Sequence, residues 1–354
     1  MIQADPTRGG GATGELLDPR QFVQLDHGTG GGMSQELICD LIAPRLGSVH
    51  QGRMEDSAIL DLAGGRVAMT TDSFVVDPIF FGDGDIGKIA VCGTVNDLAV
   101  SGAEPLFLTL ALVLEEGFSI PDLERVLDSI RAAATEAGVA VVAGDTKVVA
   151  RGQVDKLFIN TAGVGELRRA RTPRTADVTA GDVVVVTGQL GNHAIHILSL
   201  REGLGFETRV RSDCAPLNGM IDLLLDAHLD AVRCMRDVTR GGLGTILNEV
   251  AGAAEVSVTI EEELLPLQRE TAMAAEMLGI SPLYLANEGC LCLFVDPARA
   301  DAVVELLRSH PYGRNAAAVG VVEERCDPPV TMLLRDGTAS TVELLYGAEL
   351  PRLC

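Results

Sequence analysis

Phe107-Leu-Thr-Leu-Ala-Leu-Val-Leu114, Ser119-Ile-Pro-Asp122 and Val139-Ala-Val-Val-Ala143-Gly-Asp-Thr-Lys147 follow one another along the chain. The first is an unbroken apolar run closed by Glu115 and Glu116, the pattern of a buried strand. Ser119 can accept a bond from a free N–H of a first helical turn, and proline is tolerated just inside that turn. Leu123, Val126, Leu127, Ile130 and Ala134 then recur at helical spacing and make one apolar stripe. Val139 to Ala143 reads as a second strand, ending in Gly144-Asp145-Thr146-Lys147. Strand, helix and strand in that order predict an α/β layer.

The same alternation extends both ways. Upstream, Val67 to Thr71 reads as a strand leading into Asp72-Ser73, and Asp85 to Val100 as a helix burying Ile86, Ile89, Ala90, Gly93 and Leu98. Leu157 to Val164 continues the β pattern. Arg168, Arg169, Arg171, Pro173 and Arg174 form a basic, turn-prone break, and a domain boundary is placed there. Beyond it, strands are predicted at Val183–Thr187, Val232–Met235, Val256–Ile260, Leu291–Val295, Ala317–Val322 and Thr331–Leu334. Helices are predicted at His193–Arg201, Met220–His228 and Leu243–Ala253. The reading is an α/β (α+β) chain of two domains, 25–170 and 171–345. A disordered Gly-rich extension (1–24) is expected before them and a mobile tail (346–354) after them.

Composition narrows the function. The 354 residues are 47% hydrophobic and 22% charged, without tryptophan, which suits a globular core of small aliphatic side chains. A formal charge of −22 argues against binding nucleic acid or an anionic membrane surface. The eight cysteines form no C-x-x-C pair, so neither a zinc ribbon nor a thioredoxin-type site is expected. With no signal-peptide pattern and no long apolar run, a cytoplasmic protein is expected.

Several residues can carry chemistry. Asp56, Asp72, Asp97 and Asp145 each fall where a strand or turn is read to end, and hard oxygen donors so placed suit Mg²⁺. Turns also favour aspartate for purely local reasons. Gly82-Asp-Gly-Asp-Ile-Gly-Lys88 imitates a phosphate loop, but Ile89 stands where the hydroxyl ligand belongs and the two carboxylates would repel a phosphate, so that reading is rejected. His193 and His196 share a helix face without a third ligand and read as ordinary histidines. Cys290 and Cys292 read as core. Lys147, at the end of a buried strand, can be desolvated enough to act as a base or phosphate partner. Glu288 stands in a tight Asn-Glu-Gly turn, and Arg236-Asp-Val-Thr-Arg-Gly-Gly-Leu243 offers N–H groups ahead of a helix. The chain ends Pro351-Arg-Leu-Cys354, a soft nucleophile on a tether.

Together these blocks resemble the HypE family of hydrogenase maturation proteins, within the aminoimidazole ribonucleotide synthetase (PurM) superfamily. The resemblance runs from His27 to Cys354. It rests on His27-Gly-Thr-Gly-Gly31, Thr71-Asp-Ser-Phe-Val-Val-Asp-Pro-Ile-Phe-Phe81, Gly93-Thr-Val-Asn-Asp-Leu-Ala99, Gly144-Asp-Thr-Lys-Val148, Arg236 to Leu243, Ala286-Asn-Glu-Gly289 and the terminal Pro-Arg-Leu-Cys. It implies a two-domain PurM-like fold whose N-terminal domain completes a β-barrel in a homodimer. It further implies a carbamoyl group placed on Cys354 by the carbamoyltransferase HypF. ATP-dependent dehydration would turn this group into a thiocyanate, and the cyanide would pass to iron carried by a HypC–HypD complex.

Carried over position by position, Cys354, Lys147 and Glu288 would be catalytic. Asp56, Asp72, Gly93, Asn96, Asp97, Asp145, Thr146 and Asp237 would contact ATP, with Asp56, Asp72, Asp97 and Asp145 on Mg²⁺. Three positions depart from the family pattern: Glu55-Asp56-Ser57, Gly191-Asn192-His193-Ala194, and Leu353 in place of isoleucine. The role of Glu55 is left open, and His193 is assigned none. Two other readings stand beside this one: another ATP enzyme of the superfamily, of the selenophosphate synthetase or thiamine-phosphate kinase type, and a non-catalytic scaffold whose terminal cysteine delivers a metal.

Overall fold

In the computed structural model, residues 23–28, 31–46, 55–345, 347 and 352–354 are described. The apolar run forms β3 (Glu104–Glu115), the fourth of five strands in sheet order β1-β2-β5-β3-β4. The other strands of this sheet are β1 (Ala58–Leu62), β2 (Gly65–Phe74), β4 (Ala140–Val149) and β5 (Leu157–Glu166). Only β3 and β4 run parallel in this sheet. A parallel pair needs a crossover, and α2 (Ile120–Ala137) supplies it. Ser119 caps α2, its side chain accepting from the Asp122 N–H at 3.4 Å, and Gly138 closes the helix at φ +72°.

α1 (Ile86–Val100) is apolar on nearly every side, and the packing explains why. It lies against β2, β5 and α2, and its far side meets strand Val232–Asp237 and helix Asn218–His228 of the second sheet's layer. Asp85 caps it by accepting from the Gly87 and Lys88 N–H groups at 2.8 and 3.0 Å. The would-be phosphate loop is therefore a helix cap.

The second sheet has the order β12-β11-β8-β10-β6-β9-β7. Its strands are β6 (Val183–Val186), β7 (Val232–Asp237), β8 (Ser257–Glu261), β9 (Leu291–Val295), β10 (Ala317–Glu323), β11 (Val330–Leu333) and β12 (Ala339–Thr341). The helices accompanying it are α3 (Asn192–Glu202), α4 (Asn218–His228), α5 (Gly242–Ala253), α6 (Arg269–Leu278) and α7 (Ala300–Ser309). Every residue of β9 is buried, including Cys292, and Cys290 is buried just before it.

The structure departs from the sequence reading in several places. β4 does not end at Ala143 but runs through Gly144–Lys147, because its ladder with β3 continues from Gly144 opposite Leu110 to Val149 opposite Glu115. Asp72 likewise lies inside β2 rather than at its end. β1, β12, α6, α7 and a helical segment over Gly32–Glu36, Leu37–Ile42 and Ala43–Leu46 were not anticipated. The barrel expected of the N-terminal domain is not closed within one chain: its sheet is open, with β1 and β4 as edges. β4 is exposed along both faces, Val142 to 59% and Val148 to 67%. Among the described residues no helix is long and apolar enough to cross a membrane. Residues 1–22 and two of the glycine cluster's residues, Thr29 and Gly30, lie outside the described residues.

Candidate active site

The C-terminal residues lie docked against the turn that follows β2. The Val75 N–H donates to a terminal oxygen of Cys354 at 3.0 Å, and the Asp77 N–H to the Arg352 carbonyl at 3.3 Å. Leu353 is buried in the core that α1, β3 and β5 share with α3. Burial pushes the Cys354 thiol up to about 12, with Glu288, Asp72 and Asp237 pushing the same way and Arg240 opposing them. The sulfur is thus held as a neutral thiol among carboxylates.

Those carboxylates come from four segments. Asp56 precedes β1, Asp72 lies in β2, Asp97 in α1, and Asp237 ends β7. Each is withdrawn from water, and Asp56, Asp72 and Asp237 raise the pKa of others in the set. Burial, against the opposing pull of Arg236, lifts Asp56 to about 6; burial and then the Asp56 charge lift Asp237 to about 7. Asp97 is raised well above the usual carboxylate range by burial and then by Asp237, Asp72 and Asp56. Burial raises Asp72 as well, opposed by a 2.9 Å bond from the Thr94 hydroxyl. Arg236 balances one rim, 2.7 Å from Asp56 and 3.3 Å from Glu249. Thr70 ties the group together, donating at 3.0 Å to Asp97 and lying 3.1 Å from the Asp56 carbonyl.

Among the described residues no three His, Cys, Asp or Glu side chains stand close enough to enclose a cation. Mg²⁺ rarely asks for such a cage: it binds one or two carboxylates and completes its shell with water and phosphate. Mutually repelling, desolvated oxygen donors fit that requirement. One or two of Asp56, Asp72, Asp97 and Asp237 would hold it.

Glu288 enters the same space from a rigid seat. Asn287, fully buried, donates to the Gln189 carbonyl and to Asp213, each at 2.8 Å, and accepts from the Gly191 N–H at 3.0 Å. The Glu288 N–H donates to Asp213 at 3.0 Å. Gly289 passes so near the Asp213 carbonyl that a Cβ would come within 1.8 Å of its oxygen, so only glycine serves there. Glu288 is 3% exposed, its Oε1 is buried without a hydrogen-bond partner, and its carboxyl is raised well above the usual range by burial, then by Cys214 and Asp237. A buried carboxyl oxygen left unpaired is expensive unless a ligand completes it.

The other residues named from sequence fall into separate settings. Asp145, Thr146 and Lys147 sit on the exposed edge strand β4, where Lys147 pairs with Asp145 at 2.7 Å and holds its carboxyl below the usual range. Within one chain they do not join the carboxylate group. Asn96 is 2% exposed, and its amide clasps the second domain: it donates to the Ala215 carbonyl at 3.1 Å and accepts from the Leu217 N–H at 2.7 Å. Gly93 lets the Phe74 ring lie flush on α1.

The sequence reading missed three residues that hold the tail. His193 donates to the Leu353 carbonyl at 2.8 Å, Arg201 to the Arg352 carbonyl at 2.7 Å, and Arg352 pairs with Asp155 at 2.7 Å. It also passed over Arg240, the cation that opposes the carboxylates around Cys354 and Glu288.

Residues 54–167 match the family model of the AIR synthase related protein N-terminal domain, and residues 179–332 that of its C-terminal domain. The carbamoyl dehydratase HypE of Azotobacter vinelandii is 43% identical over 332 residues, covering 94% of this chain and 97% of its own. A chain from the crystal structure of a HypE–HypF complex superposes with a TM-score of 0.80 at 42% identity, covering 89% of this chain and all of that one. A crystal structure of the maturation protein HypE in complex with ATP gives 0.79 at 42% identity, covering 94% of this chain and all of that one.

Proposed function

The chain belongs to the HypE carbamoyl dehydratase family of AIR synthase related proteins, and we propose from the site above how it carries out that family's reaction on its own C-terminus. It dehydrates a carbamoyl group borne by Cys354 to a thiocyanate at the expense of ATP. The observation that carries the reading is the docked tail: Cys354 is held through its backbone by Val75, partly buried, with Glu288, Asp72 and Asp237 within electrostatic reach.

A thiol held near 12 is a poor nucleophile, so the carbamoyl group is acquired with the tail out, at a carbamoyltransferase of the HypF type. With the tail back in place the carboxamide oxygen attacks the γ-phosphorus of ATP. The new O–P bond forms as the bond to ADP breaks, and one N–H proton is lost. Phosphate then leaves with the C–O electron pair, the second N–H proton departs, and the nitrile forms. An amide oxygen is a very poor leaving group; its phosphate ester is a good one. When bound, Mg²⁺ neutralises developing phosphoryl charge.

Glu288 is placed to take the N–H protons: its free Oε1 has no other partner, and its raised pKa makes the ionised form a stronger base. Arg240 supplies positive charge at the same place. Lys147, Asp145 and Thr146 take part from β4. The open, apolar β4 edge is the surface through which two copies would pair and close the barrel, and pairing would cover those three residues. The cyanide then passes to iron on a HypC–HypD type acceptor.

The test is the intact mass of the tail peptide after incubation with the carbamoyltransferase and carbamoyl phosphate, before and after Mg-ATP. A carbamoyl adduct on Cys354 that loses one water only with ATP is the expected result. An adduct that never dehydrates would make the chain a carrier and refute the reading.

A further inference from the structure

Two side chains on α3 hold the tail without touching the sulfur, and each does so through main-chain carbonyls. His193 is fully buried, its ring edge-on to Phe81 at 5.6 Å between centroids. Nε2 lies 2.8 Å from the Leu353 carbonyl, which can only accept, so this nitrogen carries the hydrogen. Nδ1 lies 2.8 Å from the Ser212 hydroxyl, whose oxygen already accepts from the Cys214 N–H at 3.2 Å. The hydroxyl hydrogen is therefore free to point at Nδ1. One neutral tautomer satisfies the whole chain from Cys214 to Leu353. Burial, which lowers the imidazole pKa, favours that neutral form.

Arg201 lies two turns further along the same helix. Its Nε and Nη2 donate to the Asp77 carbonyl at 3.0 and 2.6 Å, and Nη2 also donates to the Arg352 carbonyl at 2.7 Å. It thus staples the tail to the turn on which the tail rests. Arg352 returns the contact by donating to the Val75 carbonyl at 2.8 Å.

These contacts hold the tail in place. Leu353 fills the core and Cys354 packs partly buried at its edge, so a slip of one residue would bring Arg352 or Cys354 to the Leu353 seat. Burial of the Leu353 side chain chooses the register, and the directed bonds to the 352 and 353 carbonyls hold the chain in it.

We propose that His193 and Arg201 are positioning residues that hold the tail in its docked place, and that they hold it alike whether the sulfur is free, carbamoylated or cyanated. The inference rests on the dehydratase reading for its purpose but is measured without ATP or loading. Hydrogen exchange at the Val75 and Asp77 amides reports docking directly, because both donate to the tail. In the full-length protein, His193→Leu should speed exchange at these two amides and alkylation of Cys354 by about tenfold, the size of one lost hydrogen bond. His193→Gln, which keeps an N–H donor near the Nε2 position, should recover most of the protection. Arg201→Met should act in the same direction and stands in if His193→Leu fails to fold, with exchange in β9 as the check on folding. Single-turnover dehydration of the loaded tail should fall in step with docking. Unchanged exchange at Val75 and Asp77 in both variants would overturn the proposal. A wild-type tail that shows this protection but never dehydrates would uphold the positioning role and sink the dehydratase reading instead.

Discussion

The Thr70 hydroxyl holds Asp97 at 3.0 Å, yet no cation is among the leading influences on that carboxylate; three other aspartates are. Asp97 is thus held in place inside a field that opposes its charge. Such an arrangement trades stability of the empty site for affinity toward something positive.

Asp97→Asn should therefore stabilise the protein in the absence of metal and nucleotide, by about 1–2 kcal/mol, since the amide oxygen still accepts from Thr70 and the repulsion is gone. The same change should abolish most of the thermal stabilisation given by Mg-ATP. Melting curves with and without Mg-ATP decide it; a variant that melts lower in the empty state contradicts the electrostatic account.

Docking should depend on pH through Cys354. Burial pushes the docked thiol up to about 12, and a free one titrates at ~8.5. Since the docked value is the higher, this contribution to docking is complete below the free value and is lost as pH rises from there through about 12. The carbon resonance of a ¹³C-labelled Cys354 Cβ should show no thiolate at pH 9.5, where the isolated tail peptide is largely ionised. A titration like that of the peptide would mean that the sulfur is not buried.

Glu288→Gln should leave the fold intact, because the amide has nearly the shape of the carboxyl it replaces and burial already disfavours the charge it removes. Carbamoylation of Cys354 should continue while the ATP-dependent loss of water slows by about 10²–10⁴-fold, the usual range for a removed proton acceptor. Tail-peptide mass spectrometry in a quenched time course separates the two steps. Undiminished dehydration would take Glu288 out of the reaction.

Val142→Lys combined with Val148→Lys places two charges on the exposed β4 edge without disturbing the buried core. Light scattering should give a dimer for the unmodified protein and a monomer for this variant, and dehydration should fall with pairing, since Lys147 and Asp145 lie on the same strand. A variant that remains dimeric would move the interface elsewhere.

The alternation of β3, α2 and β4 was legible because each element satisfies its own local requirement: an apolar run, a serine cap and an amphipathic stripe. The continuation of β4 through Gly144–Lys147 was not, because glycine and aspartate usually signal a turn, and here the parallel ladder with β3 overrides them. Asp56, Asp72, Asp97, Asp237 and Glu288 were picked out by turn context and family pattern, and the fold brings them into one electrostatic group. His193 could not be read this way. Its partner Leu353 lies 160 residues away, and nothing in Asn192-His193-Ala194 distinguishes a histidine that holds a distant carbonyl from one that merely fills a core.

The docked tail makes the substrate part of the catalyst. Leu345, whose carbonyl accepts from the Gly32 N–H at 2.7 Å, is seven residues before Arg352. Even fully extended, that tether spans only about 24 Å. The carbamoyl group thus meets its site at a local concentration in the millimolar range or above, independent of how much protein a cell contains. Dilution cannot starve the reaction, and a soluble mimic of the tail must compete with a neighbour that never diffuses away. Each chain presents a single sulfur, so throughput is governed by how often the tether releases and returns.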